Sequence, residues 1–150
     1  MQSGGFVDLT AGLDPGSDED EISIASSVEF FRSRGASLDQ VSVSSDSNGS
    51  MPRFDSSGRL IGLTIATQES LLLNFRHLVS REILSLSEAA AIFSTNPSIF
   101  YKFNDKGKVK ADMDADIIIL DQNLNLTDHF IKGKRMMDNG KLVVHSTFSS

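Results

Sequence analysis

The sequence predicts an α/β fold with a smaller all-β tail, and three patterns predict it. The first 46 residues alternate strand, helix and strand. The middle of the chain holds two segments with apolar residues at helical spacing. Beyond about residue 104 that period disappears, and short strands separated by turn residues replace it.

The elements follow in order. "GGFVDLT" reads as a short buried strand whose apolar residues are Phe6, Val7 and Leu9. "AGLDPGSDEDE" is a loop, because Pro15 and Gly16 break regular structure, and its acidic residues Asp18 to Glu21 suit the positive end of a helix that follows. Ile24, Val28 and Phe31 recur at helical spacing, and Gly35 stands where a left-handed C-cap belongs. "VSVSS" alternates apolar with small polar residues and reads as a strand. Strand, helix and strand in this order make a βαβ unit, which requires parallel strands and a right-handed crossover.

Residues 46 to 66 are rich in Ser, Gly and Asp and read as a long loop, a feature of functional or disordered segments. Thr67 is the expected cap of the next helix, whose apolar stripe is Leu71, Leu72, Phe75, Leu78 and Val79. "SLSE" has the spacing of a capping box, with Ser85 and Glu88 as the reciprocal pair. The helix behind it should be interrupted at "TNP", since a residue before proline disfavours the helical region. In the tail, "IIIL", "HFIKG", "KRMM" and "KLVVH" are the strand candidates, and Asn139-Gly140 is the dipeptide preferred by type I′ hairpin turns.

Composition narrows the functional classes. With 39% hydrophobic and 23% charged residues the 150-residue chain has the balance of a globular protein with a real core. A net charge of −6 and the absence of any long Lys/Arg run argue against nucleic acid as a partner. No apolar run approaches the roughly 20 residues of a membrane helix, so no membrane association is expected. The N-terminus has no basic segment leading into an apolar one, so no signal peptide is expected. There is no cysteine, which excludes disulfides, thiolate metal sites and cysteine nucleophiles and fits a cytoplasmic location.

Two segments are informative together. "GKVKADMDADIIILDQNLNLTDHFIKGKRMMDNGK" resembles the C-terminal signature of the amidohydrolase superfamily. "VSVSSDSNGSMPRFD", with "GGFVDLT" before it, resembles the isoaspartyl (β-aspartyl) dipeptidase family within it, which carries a Ser-Ser-Asp-Gly-Asn-Gly-Ser loop after its last barrel strand. The resemblance runs from Gly4 to Phe148. It implies that residues 1–103 correspond to the last two βα units of a TIM-like (β/α)8 barrel and residues 104–150 to strands of a small β-sandwich. A complete barrel takes about 250 residues, so the resemblance is to the C-terminal portion only.

The resemblance also implies chemistry. The family hydrolyses the isopeptide bond of β-aspartyl dipeptides with a water activated by one or two divalent metals, typically zinc. Asp46 matches the aspartate that ends the eighth strand, binds one metal and takes the proton from the attacking water. Read locally, Asp46 is also a good starter for an Asx-turn before Asn48 and Gly49. Ser50 matches a residue whose hydroxyl contacts a substrate carboxylate; its alternative is a solvated loop serine. The family's other ligands lie upstream: a His-x-His pair, a bridging carboxylated lysine or glutamate, and two later histidines. His77, His129 and His145 have no such spacing and are not expected to be ligands. Asp114 and Asp116 belong to the tail signature and read as turn and strand-entry residues rather than a two-carboxylate site.

Two positions depart from the family pattern. Ser47 replaces the glycine after Asp46, and Asp112 replaces a glycine before "DAD". If those glycines serve left-handed backbone, Asp112 is a mild replacement and Ser47 a strained one. The resulting expectation is a chain that keeps the proton-handling aspartate, binds no metal stably by itself and has little activity alone. The competing expectations are a non-catalytic protein that pairs with an upstream half or with itself as a homo-oligomer, and another amidohydrolase of the dihydroorotase or deacetylase kind. Whether the chain is an enzyme is left open by the missing ligands.

Overall fold

The computed structural model describes residues 5–11 and 23–144, which fall into two compact units, Met1–Tyr101 and Lys102–Ser150. The acidic cluster Asp18 to Glu21, His145 and the end of the resemblance at Phe148 lie outside the described residues.

In the first unit, β1 (Val7–Thr10) and β2 (Val41–Ser44) pair in parallel, with Val7 opposite Val41 and Thr10 opposite Ser44. The crossover carries α1 (Ile24–Ser33), as the βαβ pattern requires. Ser23 caps it: its side chain accepts a hydrogen bond from the Ser26 amide at 3.1 Å. At the other end Gly35 takes φ +65, the left-handed conformation that a residue without Cβ adopts cheaply. The alternation of the strands divides their faces. Leu9, Val41 and Val43 pack into a core with Ile24, Val28, Leu78, Leu84, Ala89 and Ile92. Asp8, Ser42 and Ser44 lie on the opposite face, joined by hydrogen bonds described below.

Residues 46–66 are not a long loop. β3 (Ser50–Phe54) and β4 (Leu60–Ile65) form an antiparallel hairpin, with Ser50 opposite Ile65, Pro52 opposite Leu63 and a bulge between Arg53 and Phe54. The turn is organised by Asp55, whose carboxylate accepts from the Ser57 amide (3.0 Å), the Ser57 hydroxyl (2.6 Å) and the Arg59 amide (3.0 Å). These bonds to the ionised form, the Ser57 hydroxyl foremost, lower the Asp55 pKa. The strand signal is masked in the sequence because apolar residues occur at adjacent positions, Leu60 and Ile61, and because Pro52 sits within β3, where it is tolerated only at an edge.

α2 (Glu69–Ser80) follows, with Gln68 rather than Thr67 at the N-cap. The Thr67 side chain does not cap; its carbonyl accepts from the Ser70 hydroxyl at 2.7 Å. Leu71, Phe75, Leu78 and Val79 of the expected stripe pack into the core, and Leu72 is not among the residues packed there. Asn74 is buried among them, its amide donating to the Ser70 carbonyl at 2.9 Å. α3 (Leu86–Ala90) opens with the expected box. Ser85 Oγ accepts from the Glu88 amide at 3.3 Å, and Glu88 Oε2 accepts from the Ser85 amide at 2.8 Å.

Pro97 does not interrupt this helix. The chain passes through a π-helical turn (Ala91–Thr95) directly into α4 (Asn96–Phe100). The wider turn moves the Asn96 amide onto the Ala91 carbonyl and places Pro97 in the first turn of α4, where a missing N–H costs little. Asn96 is buried and donates both amide hydrogens, to the carbonyls of Leu38 (2.9 Å) and Val41 (2.8 Å), which fastens this helix to the end of the crossover.

The second unit is a meander of β5 (Ile117–Leu120), β6 (Leu126–Ile131), β7 (Lys134–Asp138) and β8 (Lys141–Leu142), antiparallel and in sequence order. Asn139 and Gly140 take φ +48 and +75, the type I′ signs. "HFIKG" is strand only to Ile131: Lys132 and Gly133 make a second two-residue turn with φ +49 and +76. A lysine is unusual there, but its amide is held by the Asp116 carboxylate at 2.7 Å and the Gly133 amide by the Ala115 carbonyl at 3.0 Å. Of "KLVVH", Lys141–Leu142 are strand and Val143 and Val144 are not, while His145 lies outside the described residues.

Candidate active site

Asp46 stands just past the carboxyl end of β2, in the position from which barrel-type α/β proteins present their chemistry. Its turn is closed by the Gly49 amide donating to the Asp46 carbonyl at 2.8 Å. Ala66, buried at the end of the β3–β4 hairpin, fastens it twice: the Asn48 amide donates to the Ala66 carbonyl (2.9 Å) and the Ala66 amide to the Gly49 carbonyl (3.1 Å). The hairpin that sequence reading missed is therefore what holds the turn.

The backbone here is left-handed at Asp46 (φ +47) and Asn48 (φ +66), residue types that tolerate it best after glycine. Ser47 does not carry positive φ, which corrects the expectation of strain at that residue; its amide donates to Ser45 Oγ at 3.1 Å. Asp112 does carry it, at φ +67. Gly49 is needed for lack of a side chain. A Cβ there would lie 2.7 Å from the Asp46 carbonyl oxygen and 2.8 Å from its Cγ and Oδ2. The Asp46 carboxyl group thus folds back over Gly49 while the residue stays exposed to solvent.

Ser50, expected in a loop, is the first residue of β3 and is exposed. One turn joins it to Asp46. An ionised carboxylate accepts hydrogen bonds and can take a proton; a serine hydroxyl can donate one bond to a substrate oxygen.

A second polar group was not singled out in the sequence. The Asp8 carboxylate accepts from the hydroxyls of Ser42 (2.6 Å) and Ser44 (2.5 Å), so β1 and β2 are tied by side chains as well as by their ladder. The signal was available: "VDLT" and "VSVS" alternate in step, and a parallel register sets Asp8 beside Ser42.

The remaining sequence candidates lie on other elements. His77 lies in α2 and His129 in β6. Asp114 and Asp116 share the Lys106 ammonium, at 2.7 Å for Asp114 and in close contact for Asp116, and Lys106 is their chief partner in lowering both carboxyl pKa values. That is an ion network bracing the entry to β5, as turn and strand-entry residues should make. Among the described residues no group of three or more His, Asp or Glu side chains could hold a metal ion. The described residues alone therefore do not fit a family metal centre.

Comparison with known proteins agrees with this architecture. The amidohydrolase family model matches residues 23–144. A β-aspartyl dipeptidase from Fervidobacterium islandicum AW-1, solved with β-Asp-Leu dipeptide, superposes with a TM-score of 0.81 at 32% identity over 97% of this chain. A second structure of a β-aspartyl dipeptidase from the same organism gives 0.75 at 27% identity. An N-acetylglucosamine-6-phosphate deacetylase from Pasteurella multocida shares the fold, with a TM-score of 0.63 at 12% identity over 89% of this chain. The chain spans 36%, 35% and 37% of these three proteins. Matched by the family model over most of its length, the chain belongs to the amidohydrolase family.

Proposed function

We propose that the chain carries the C-terminal part of a β-aspartyl dipeptidase-type hydrolytic site, with residues 1–103 as the end of a (β/α)8 barrel and 104–150 as strands of a β-sandwich. Asp46 is the proton-handling carboxylate and Ser50 the hydroxyl that receives a carboxylate of a β-aspartyl dipeptide. The observation that carries this reading is the 32% identity to a dipeptidase solved with β-Asp-Leu, over nearly the whole chain. The placement of Asp46 at the carboxyl end of a parallel strand, on a turn braced by the hairpin, supports it. A divalent metal, zinc in this reading, would need ligands beyond the described residues, so Asp46 can be a metal ligand only if upstream residues complete the centre. The cytoplasm is the proposed location, which the absence of cysteine fits.

The test has two parts. Purified chain with added zinc should hydrolyse β-Asp-Leu little or not at all; robust turnover untouched by a chelator would contradict the assignment. Titration with β-Asp-Leu should shift the amide resonances of Asp46 to Ser50 more than an α-linked Asp-Leu does, and Ser50→Ala should weaken that response. Equal response to both dipeptides would remove Ser50 from the site.

A second reading has its own observation. Paired residues of the hairpin place Pro52, Phe54, Leu60, Leu63 and Ile65 on one face, and Leu63 and Ile65 are 67% and 68% exposed. Apolar surface of this kind marks an interaction site. It favours a non-catalytic role in which the chain pairs with an upstream half or with a second copy. Size-exclusion chromatography separates the cases, since a clean monomer at high concentration argues against self-pairing.

A further inference from the structure

The chain contains two Asn-Gly dipeptides, at 48–49 and 139–140, and both asparagines are exposed with left-handed φ. Such dipeptides are open to an intramolecular reaction. The glycine nitrogen attacks the asparagine Cγ, the new N–Cγ bond closes a succinimide, and the side-chain nitrogen leaves as ammonia with the amide proton. Water then opens the ring at either carbonyl, giving aspartate or isoaspartate. No partner other than water is required. Glycine favours the attack because no side chain obstructs its nitrogen.

The two sites differ in how the reacting amide is held. Asn139 donates from Nδ2 to the Asp138 carboxylate at 2.8 Å, and Asp138 is itself held by Arg135 at 3.0 Å. The Gly140 amide is engaged across the sheet, donating to the Thr127 carbonyl of β6 at 2.8 Å. To react, Asn139 must leave a charged acceptor and Gly140 must break a contact between strands. At the other site the Asn48 side chain has no hydrogen-bond partner among the described residues, and the Gly49 amide makes only a turn bond to Asp46, three residues earlier.

We infer that Asn48 is a site of spontaneous deamidation in the folded protein, while Asn139 is protected by its fold. The product matters because of where it forms. An isoaspartyl linkage adds one carbon to the main chain between residue 48 and Gly49. That is the turn in which a single added carbon on Gly49 would already meet Asp46 at 2.7–2.8 Å. The isoaspartyl product at Asn48 therefore lengthens a turn that has no room to spare beside Asp46, and either product adds a negative charge two residues from it. The turn carries its own route to ageing.

The experiment incubates purified chain in mildly alkaline buffer, native and in parallel fully unfolded in denaturant. Both dipeptides are then quantified for aspartate and isoaspartate by peptide mapping with electron-transfer fragmentation. In the unfolded chain the two sites should convert at similar rates. In the native chain Asn48 should convert about tenfold faster than Asn139, the factor expected where one hydrogen bond to a charged acceptor must first be broken. Asp138→Ala should raise the Asn139 rate towards that of Asn48. Native conversion at Asn48 no faster than at Asn139 overturns the inference. An unchanged slow rate at Asn139 in Asp138→Ala overturns the anchoring argument for its protection.

Discussion

The carboxyl group of Asp46 lies against the Cα of Gly49, so closely that a methyl group on Gly49 would stand 2.8 Å from Asp46 Cγ and Oδ2. Two residues separate them in sequence, and the Gly49 amide closes the turn on the Asp46 carbonyl. The glycine thus sets where the carboxylate can be.

Gly49→Ala should force either the Asp46 side chain or the backbone to move. The expected cost is about 1–3 kcal/mol, the usual penalty of overpacking. Gly62→Ala is the control: it has nothing within 4 Å of its added carbon and should change stability by no more than about 1 kcal/mol. Urea unfolding of the two variants checks the contrast. Equal midpoints would mean that the turn relaxes without resistance.

Among the described residues of the first unit, Glu88 is the most strongly perturbed carboxylate. The Ser85 hydroxyl, the Ser85 amide and then the Arg32 guanidinium (2.6 Å) hold its pKa at about 2, against an ordinary 4.5. In the unfolded chain it binds its proton at higher pH than in the folded one. Its contribution is therefore complete above about pH 4.5 and is lost as pH falls towards 2. Glu88→Gln should lower stability at neutral pH by roughly 1 kcal/mol after allowing for solvent screening. It should also flatten the pH dependence of the urea midpoint in that acid window. A variant that keeps the wild-type slope would place the acid sensitivity elsewhere.

How much of this was legible depended on the range of the interactions. The Ser85–Glu88 box spans four residues, so its spacing alone revealed it, and the Asn139-Gly140 turn is as local. The first βαβ unit followed from alternation on two short strands. The β3–β4 hairpin was hidden because Leu60 and Ile61 spoil the period and Pro52 speaks against a strand. The π turn was invisible because nothing local announces that the Asn96 amide will reach Ala91. The position of Asp46 was legible as a motif, but its brace was not: Ala66 reaches it from the far end of a hairpin read as loop.

In the second unit, Lys106→Met should leave Asp114 and Asp116 without their shared cation. Both carboxyl pKa values are lowered chiefly by the Lys106 hydrogen bond, so the network stabilises above the ordinary carboxylate range and weakens as pH falls below it. The variant should unfold this unit earlier at neutral pH, and the gap to wild type should shrink in acid and in high salt. Thermal melts followed on resonances of β5 to β7 report it. A gap that persists at low pH would attribute the loss to the lysine stem rather than to its charge.

Asn96 offers the sharpest test of the unexpected helix. Its side chain is buried and supplies donors to the Leu38 and Val41 carbonyls at 2.9 and 2.8 Å. Asn96→Ala removes both donors; the Leu38 carbonyl keeps the Val41 amide at 3.0 Å, while the Val41 carbonyl loses the Asn96 donor in a buried place, at about 1–3 kcal/mol for such a group. Asn96→Asp is the informative companion. It nearly keeps the volume but replaces the donors with an acceptor, so it should be worse than alanine at neutral pH and recover in acid, where the protonated carboxyl can donate one bond. Urea unfolding at neutral and acid pH measures both. If Asn96→Asp is no worse than Asn96→Ala at neutral pH, the amide hydrogens are not what fastens α4 to the end of the crossover, and the packing of Ile92 in the preceding π turn must hold it instead.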